Sequence, residues 1–179
     1  MSNTYTLHVA GLTRELPLCP INEHLDIAAF VMFSDVELTI ACAAELNKIA
    51  PEHDVLITAE SKGIPLAYEM SRQSGKKYLL ARKSAKLYMS DPIRVQVKSI
   101  TTARIQELYI DRTDIDCIKG KRVLIVDDVI STGESLNALE SLVEQAGGKV
   151  VGRMAVLAEG EAADRTDIQF LEKLPVFPK

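Results

Sequence analysis

The chain has 179 residues, 47% hydrophobic and 26% charged, with a formal net charge of -4. This length and composition predict a single globular domain over 1–179, and the acidic balance argues against nucleic-acid binding, which needs a basic surface. No apolar stretch is long enough to span a membrane. The three cysteines lack metal-type spacing and no secretion signal is apparent at the start, so we expect a cytoplasmic protein.

Strand and helix patterns alternate along the chain beyond residue 33. Residues 34–50 predict a helix, because Ser34 and Glu37 have the spacing of a capping box. Its predicted apolar face comprises Val36, Ile40, Ala43 or Ala44, and Ile49. Strands are predicted over 54–59, 76–83, 121–128 and 149–159, helices over 63–75 and 134–148, and a short edge strand over 175–177. Such alternation predicts an α/β fold with a central parallel sheet flanked by helices, whose ligands bind beyond the carboxyl ends of the strands.

Residues 84–120 are too long for an ordinary connection between elements. Within them, RVQVKSI (94–100) and RIQELYI (104–110) show rough period-two alternation, which predicts a two-stranded arm. Five basic residues and one acid lie between positions 82 and 98, a balance that suits a polyanionic ligand. We therefore expect a lid over the ligand edge of the sheet, with a second small domain as the alternative.

The stretch VLIVDDVISTGES (123–135) joins four apolar residues, two acids and a loop of small polar residues. Backbone N–H groups of such a loop, at the start of a helix, favour an anion such as phosphate. Asp127 and Asp128 would repel a phosphate that touched them, so we expect them to accept hydrogen bonds from a vicinal diol. The predicted ligand is a sugar phosphate; a plain strand with solvated acids is the alternative.

This stretch resembles the phosphoribosyl-diphosphate (PRPP) motif of the type I phosphoribosyltransferases. AESKGIPLAYE (59–69) is similar to the pyrophosphate loop of the purine enzymes, and ARKSAK (81–86) is similar to a pattern of the adenine enzymes. The resemblance covers roughly residues 54–179 and extends to xanthine phosphoribosyltransferases and the purine repressor domain. It implies the type I phosphoribosyltransferase fold, with a hood over residues 1–33 that binds the base and a flexible lid over residues 84–120.

The resemblance also implies an activity: transfer of ribose 5-phosphate from PRPP to a purine base, with release of pyrophosphate. It implies Mg²⁺ bound mainly through PRPP rather than by a metal site of the chain, and a homodimer. By position, Asp127 and Asp128 would bind the ribose hydroxyls as the catalytic pair. The other implied substrate-binding residues are Ser61, Lys62, Gly63, Arg82, Lys83 and Lys86 for the pyrophosphate, Val129 and Ile130, Ser131, Thr132, Gly133, Glu134 and Ser135 around the 5-phosphate, and Glu159 near the base.

Several positions depart from the family pattern. Glu134 replaces a usual Gly, Lys62 replaces a common Arg, and residues 16–33 lack the adenine enzymes' usual segment. We therefore expect adenine as the first candidate base and xanthine or guanine as the second. A non-catalytic regulator that senses PRPP is the rival from another class, although the residues before the first helix are too few for a winged helix. Glu107, in the predicted lid, is a candidate proton relay, and Glu159 either accepts from the base or is solvated.

Overall fold

The structure is a computed structural model that describes residues 3–98 and 105–179. The strands are β1 (Thr4–Val9), β2 (Leu12–Asn22), β3 (Leu25–Ala28), β4 (Val55–Ala59), β5 (Lys77–Ala81), β6 (Ile93–Lys98), β7 (Ile105–Ile110), β8 (Arg122–Ile130), β9 (Lys149–Glu159), β10 (Gln169–Leu174) and β11 (Val176–Pro178). The helices are α1 (Val36–Ile49), α2 (Ile64–Ser74), α3 (Arg112–Ile118) and α4 (Glu134–Gln145), and a short 3₁₀ turn covers Gly160–Asp164. Within the described residues, no helix is both long and apolar enough to cross a membrane.

The central sheet is parallel throughout, with the strand order β10-β9-β8-β4-β5. This arrangement confirms the predicted α/β fold and the four strands predicted for this sheet. Strand β10 was not predicted, because its short sequence mixes polar and apolar residues without a regular alternation. Two hydrophobic clusters cover the two faces of the sheet: α3, α4, β6 and β7 pack on one face, and α1, α2 and the N-terminal strands on the other.

Residues 1–33, predicted as a hood, contribute β1, β2 and β3 to an antiparallel sheet with the order β1-β2-β3-β11. The predicted edge strand near the C-terminus is β11, and it pairs with β3 rather than with the central sheet. Because β11 follows β10 almost directly, this pairing places the chain after β3 beside the carboxyl edge of the central sheet. The hood's binding role stays a prediction.

Two details predicted for α1 are wrong. Asp35, not Ser34, is the N-cap, and its side chain accepts from the backbone N–H of Leu38 at 3.1 Å. Arg14, in β2, donates from Nε to Oδ2 of Asp35 at 2.7 Å and from Nη2 to Oε2 of Glu37 at 2.8 Å. A contact from β2 therefore fixes Asp35 at the start of the helix. The predicted apolar face is largely exposed, with exposed fractions of 67% for Val36, 44% for Ile40 and 47% for Ile49. Of that face only Ala43 is buried, and it lies with Leu38, Cys42 and Leu46 against the core.

The predicted two-stranded arm is confirmed as an antiparallel pair of β6 and β7. The arm packs on α4, and Val95, Leu108 and Ile110 are buried in the core. Residues 99–104, which include the end of one predicted strand and the start of the other, lie outside the described residues. Lid closure over the ligand edge stays a prediction.

Candidate active site

A cleft of three adjoining recesses lies at the carboxyl edge of the central sheet. The recesses have volumes of about 50, 220 and 230 Å³, and Val129 lines all three. Strand β4 pairs with β8 only as far as Ile57 and Ile125, so β8 leaves its neighbour on that side before it reaches the acids. The middle recess occupies the opening between these strand ends.

Asp127 and Asp128 lie in the middle recess, but they do not end β8 as the sequence predicted. The strand continues through Val129 and Ile130, because both residues still pair with β9. Asp128 is buried, with 2% exposed, and Asp127 is partly buried. The acids are therefore held on a rigid strand instead of on the loop that follows it.

The two carboxylates share a site that is poor in donors. The backbone N–H of Asp128 donates to Oδ1 of Asp127 at 2.9 Å. Among the described residues Oδ2 of Asp128 has no hydrogen-bond partner, although Nζ of Lys62 lies at ion-pair distance, 3.4 Å. Burial, and then the charge of Asp128, raise the pKa of Asp127 above its usual range. A ligand with hydroxyl donors would satisfy these oxygens.

Gly63 allows the loop after β4 to approach β8 closely. A Cβ atom at this position would meet Oγ1 of Thr58 and would lie 2.8 Å from Oδ1 of Asp127. The lack of a side chain at position 63 therefore brings Ser61 and Lys62 to the rim of the acid pair, where both line the middle recess.

The smallest recess is formed by the loop between β8 and α4. Ser131, Thr132 and Ser135 line it together with Glu134, and Gly133 adopts a left-handed conformation with φ of 79°. Helix α4 begins at Glu134, so the first N–H groups of the helix lie beside the recess. We call this recess the cradle. It is formed by the consecutive residues for which the sequence predicted an anion site, and anion binding there stays a prediction.

The cationic side of the middle recess is built from the ends of β4 and β5. Arg82 and Lys83 follow β5, and Glu60, which the sequence analysis missed, binds both of them. Its Oε2 accepts from the backbone N–H of Lys83 at 3.0 Å and its Oε1 lies 3.3 Å from Nη2 of Arg82. These contacts, with the donation from Lys83 first, lower the pKa of Glu60. Of the residues predicted to bind pyrophosphate, Ser61, Lys62 and Lys83 line the recess, whereas Arg82 and Lys86 do not. Arg82 lies beside it through Glu60, and Nζ of Lys86 donates to Oγ of Ser84 at 2.9 Å.

The third recess lies between the N-terminal sheet and the central sheet. Residues 27–31 form one wall, and Lys62, Ser131, Glu159 and Leu174 complete the lining. Burial raises the pKa of Glu159. The recess therefore offers an apolar wall, one acidic acceptor and one cationic donor. Residues 27–31 belong to the segment 1–33 that was predicted as a base-binding hood, but no side-chain pattern there distinguishes these five positions from a strand end.

The candidate proton relay, Glu107, is engaged on the arm. It accepts from Nε2 of Gln96 at 2.6 Å and from Oη of Tyr109 at 2.8 Å, and Nη2 of Arg94 lies 3.1 Å from it. It lines none of the three recesses. A relay role for Glu107 would require the arm to rearrange, and it stays a prediction.

Comparison with known proteins identifies the family. Residues 37–174 match the phosphoribosyl transferase domain. The chain is 30% identical over 151 residues to a hypoxanthine/guanine phosphoribosyltransferase of Methanococcus voltae, covering 81% of this chain and 77% of that protein. It is 34% identical over 128 residues to an adenine phosphoribosyltransferase of Rhodococcus jostii, covering 70% of this chain and 69% of the relative.

Solved structures show the same fold. An adenine phosphoribosyltransferase from Thermoanaerobacter pseudethanolicus superposes with a TM-score of 0.73 at 21% identity, covering 88% of this chain and 95% of that one. The parallel sheet flanked by helices is thus the type I phosphoribosyltransferase fold. The chain belongs to the phosphoribosyl transferase domain family, whose enzymes are pentosyltransferases.

Proposed function

We propose that this protein transfers the 5-phosphoribosyl group of PRPP to a purine base, releasing pyrophosphate. The observation that carries the proposal is the order of the three recesses around Val129. The anion cradle lies on one side of the acid pair. The apolar recess, with Glu159 as acceptor and Lys62 as donor, lies on another side. This order matches a ligand with a phosphate, a sugar diol and a planar base in sequence.

The charges along the cleft match those that develop during the reaction. The bond between the anomeric carbon and a pyrophosphate oxygen breaks, its electron pair leaves with pyrophosphate, and a purine nitrogen forms the new bond and gives up its proton to solvent. Positive charge builds on the sugar, where Asp127 and Asp128 lie, and negative charge builds on the leaving group. Lys62 and Lys83 line that side and Arg82 lies beside it, paired with Glu60, so both sets of charges stabilise the transition state.

We propose that Mg²⁺ enters with PRPP. Among the described residues, no group of three or more histidine, cysteine or acidic side chains could hold a metal ion. The chemistry of the acid pair fits an ion bound mainly by substrate oxygens and waters, because the buried Oδ2 of Asp128 can accept from a metal-bound water. When bound, the ion would neutralise part of the pyrophosphate charge.

Adenine is our first candidate base, with xanthine, hypoxanthine or guanine second. The resemblance of ARKSAK and the adenine-enzyme relative support adenine, whereas the Methanococcus relative, a hypoxanthine/guanine enzyme, supports a 6-oxopurine. In the third recess, Glu159 can accept from the 6-amino group of adenine or from N1–H of a 6-oxopurine, and Lys62 can donate to a ring nitrogen or to O6. Glu159→Gln keeps the shape and one acceptor oxygen but removes the charge, so a loss of turnover on the accepted base would support contact between Glu159 and that base.

The experiment that tests the function is pyrophosphate release from PRPP and Mg²⁺ with adenine, hypoxanthine, guanine and xanthine supplied separately. Turnover with one base names the substrate. PRPP binding without turnover on any base would contradict the enzymatic proposal and favour the PRPP-sensing regulator.

We also propose a cytoplasmic location and a homodimer. The three cysteines are free thiols, as expected in a reducing compartment. The exposed apolar face of α1, with Val36 and Ile40 beside Tyr68 of α2, lines a groove of about 230 Å³ that a second copy could cover. Light scattering during size-exclusion chromatography measures the oligomeric state, and a monomer at all concentrations would contradict the homodimer.

A further inference from the structure

Arg165 lies against the anion cradle although it is far from it in sequence. A Cβ atom at Gly133 would fall 2.5 Å from Nη1 of Arg165, so the guanidinium fills the space that a side chain at position 133 would need. Arg165 directly follows the 3₁₀ turn and precedes β10, an edge strand of the central sheet. The fold therefore brings a cation to the outside of the loop.

Asp167 fixes the orientation of this guanidinium. Nε and Nη2 of Arg165 donate to the two carboxylate oxygens of Asp167 at 2.9 and 2.7 Å. The fork of a guanidinium is planar, so a bidentate partner on one edge sets the direction of the third nitrogen. That nitrogen, Nη1, is the one beside Gly133. The Arg165 side chain is 29% exposed, so its charge lies mostly against the loop and only partly in solvent.

The described residues that line the cradle include no lysine or arginine. A phosphate monoester carries a charge of about -1.5 to -2 near neutral pH. A guanidinium directly behind the loop adds N–H donors and positive potential on the side of the phosphate, and its pair with Asp167 offsets part of that charge.

We propose that Arg165 is a positioning residue for the ribose 5-phosphate: its guanidinium packs against Gly133 on the outer side of the loop and brings positive charge to the phosphate site. This inference rests on the proposed function, because the phosphate monoester of a pentose is the ligand class proposed there. It extends the phosphate site beyond residues 131–135 to a residue about thirty positions downstream.

Calorimetric titration with two probes tests this role. Ribose 5-phosphate probes the cradle and inorganic pyrophosphate probes the opposite end of the cleft. We expect Arg165→Gln to weaken ribose 5-phosphate about tenfold while pyrophosphate changes by less than about twofold, because one charge-assisted interaction is lost at one end only. Arg165→Lys, which keeps the charge without the fork, should lie between wild type and Arg165→Gln.

Arg122→Gln is the matched control. Arg122 makes the same fork, with Nε and Nη2 donating to the carboxylate of Asp54, but it lies at the start of β8, away from the carboxyl edge that carries the cleft. It should leave both affinities within about twofold of wild type. If Arg165→Gln does not fold, Arg165→Lys decides the question: a selective loss of ribose 5-phosphate affinity supports the role, and unchanged affinity overturns it.

The outcomes separate this inference from the proposed function. Wild-type affinity for ribose 5-phosphate in Arg165→Gln, or an equal loss for both probes, would overturn the role of Arg165 alone, provided that the wild-type enzyme turns over. A wild-type protein that binds neither probe would overturn the proposed function and this inference with it.

Discussion

The two ends of the cleft differ in how the chain places hydrogen-bond donors and cations there. At the cradle, donors come from the consecutive residues 131–135 and one distant cation, Arg165, lies behind them. At the other end, the cations follow two different strands, β4 and β5, and Glu60, which follows β4, binds Arg82 and Lys83 after β5. The pairing of Ala59 with Ala81 places these two strand ends side by side. The donors of the first end thus depend on local sequence, whereas Arg165 and the whole of the second end depend on strand placement.

The largest expected effect comes from the acid pair between the two ends. Asp127→Asn with Asp128→Asn should reduce turnover by about a thousandfold or more, because both carboxylates that stabilise the positive charge developing on the sugar become neutral amides. Steady-state pyrophosphate release measures this effect. Asp164→Asn is the control, since its side chain is 87% exposed and outside the cleft. A double variant within about tenfold of wild type would mean that the acids do not serve the reaction.

The next effect tests whether the cradle depends on its glycine. Gly133→Ala should lower the free energy of unfolding by about 1–2 kcal/mol for the left-handed backbone, with a further loss from the clash with Arg165. Urea unfolding measures both contributions. Gly75→Ala is the control, because Gly75 has a similar φ of 73° and nothing within 4 Å of its Cβ position. Equal losses in the two variants would contradict the contact with Arg165.

A smaller effect should distinguish the two ends directly. Arg82→Gln is expected to weaken pyrophosphate about tenfold or less and to leave ribose 5-phosphate unchanged, the reverse of the pattern expected for Arg165→Gln. The loss is limited because Lys62 and Lys83 share the site and Glu60 already neutralises part of the charge. Titration of both probes checks this. Arg112→Gln, at an exposed pair with Asp91, should change neither affinity.

The smallest effect concerns stability and pH in the ligand-free protein. The folded-state pKa of Asp127 is raised above its unfolded value, so between these two pKa values the folded protein keeps a proton that the unfolded chain has lost. The contribution of Asp127 to the free energy of unfolding therefore falls as pH rises from about 4 through the raised pKa. Asp127→Asn removes the ionisation. The melting temperature of the variant minus that of wild type should therefore be larger at about pH 9 than at about pH 5. The same difference at both pH values would contradict the raised pKa.

Much of the fold could be predicted because its signals are local. Residues 149–159 form β9 with the predicted bounds, and the helix predicted over 134–148 is α4, whose buried face includes Leu136, Leu139 and Leu142. The predictions for α1 were wrong because that helix has two apolar faces, and its contacts with the sheet decide which one is buried. Propensity alone carries no information about that choice.

The sequence by itself determined the placement of the acid pair and of the loop proposed as a phosphate site, because a buried strand, a loop and a helix start are encoded by consecutive residues from 123 to 135. Only the tertiary structure decided the rest of the site. Pairing of β11 with β3 brings residues 27–31 opposite Glu159, and β10 brings Arg165 behind Gly133. These partners are separated by about thirty to about 130 positions. Such contacts depend on long-range strand pairing, which no local pattern specifies.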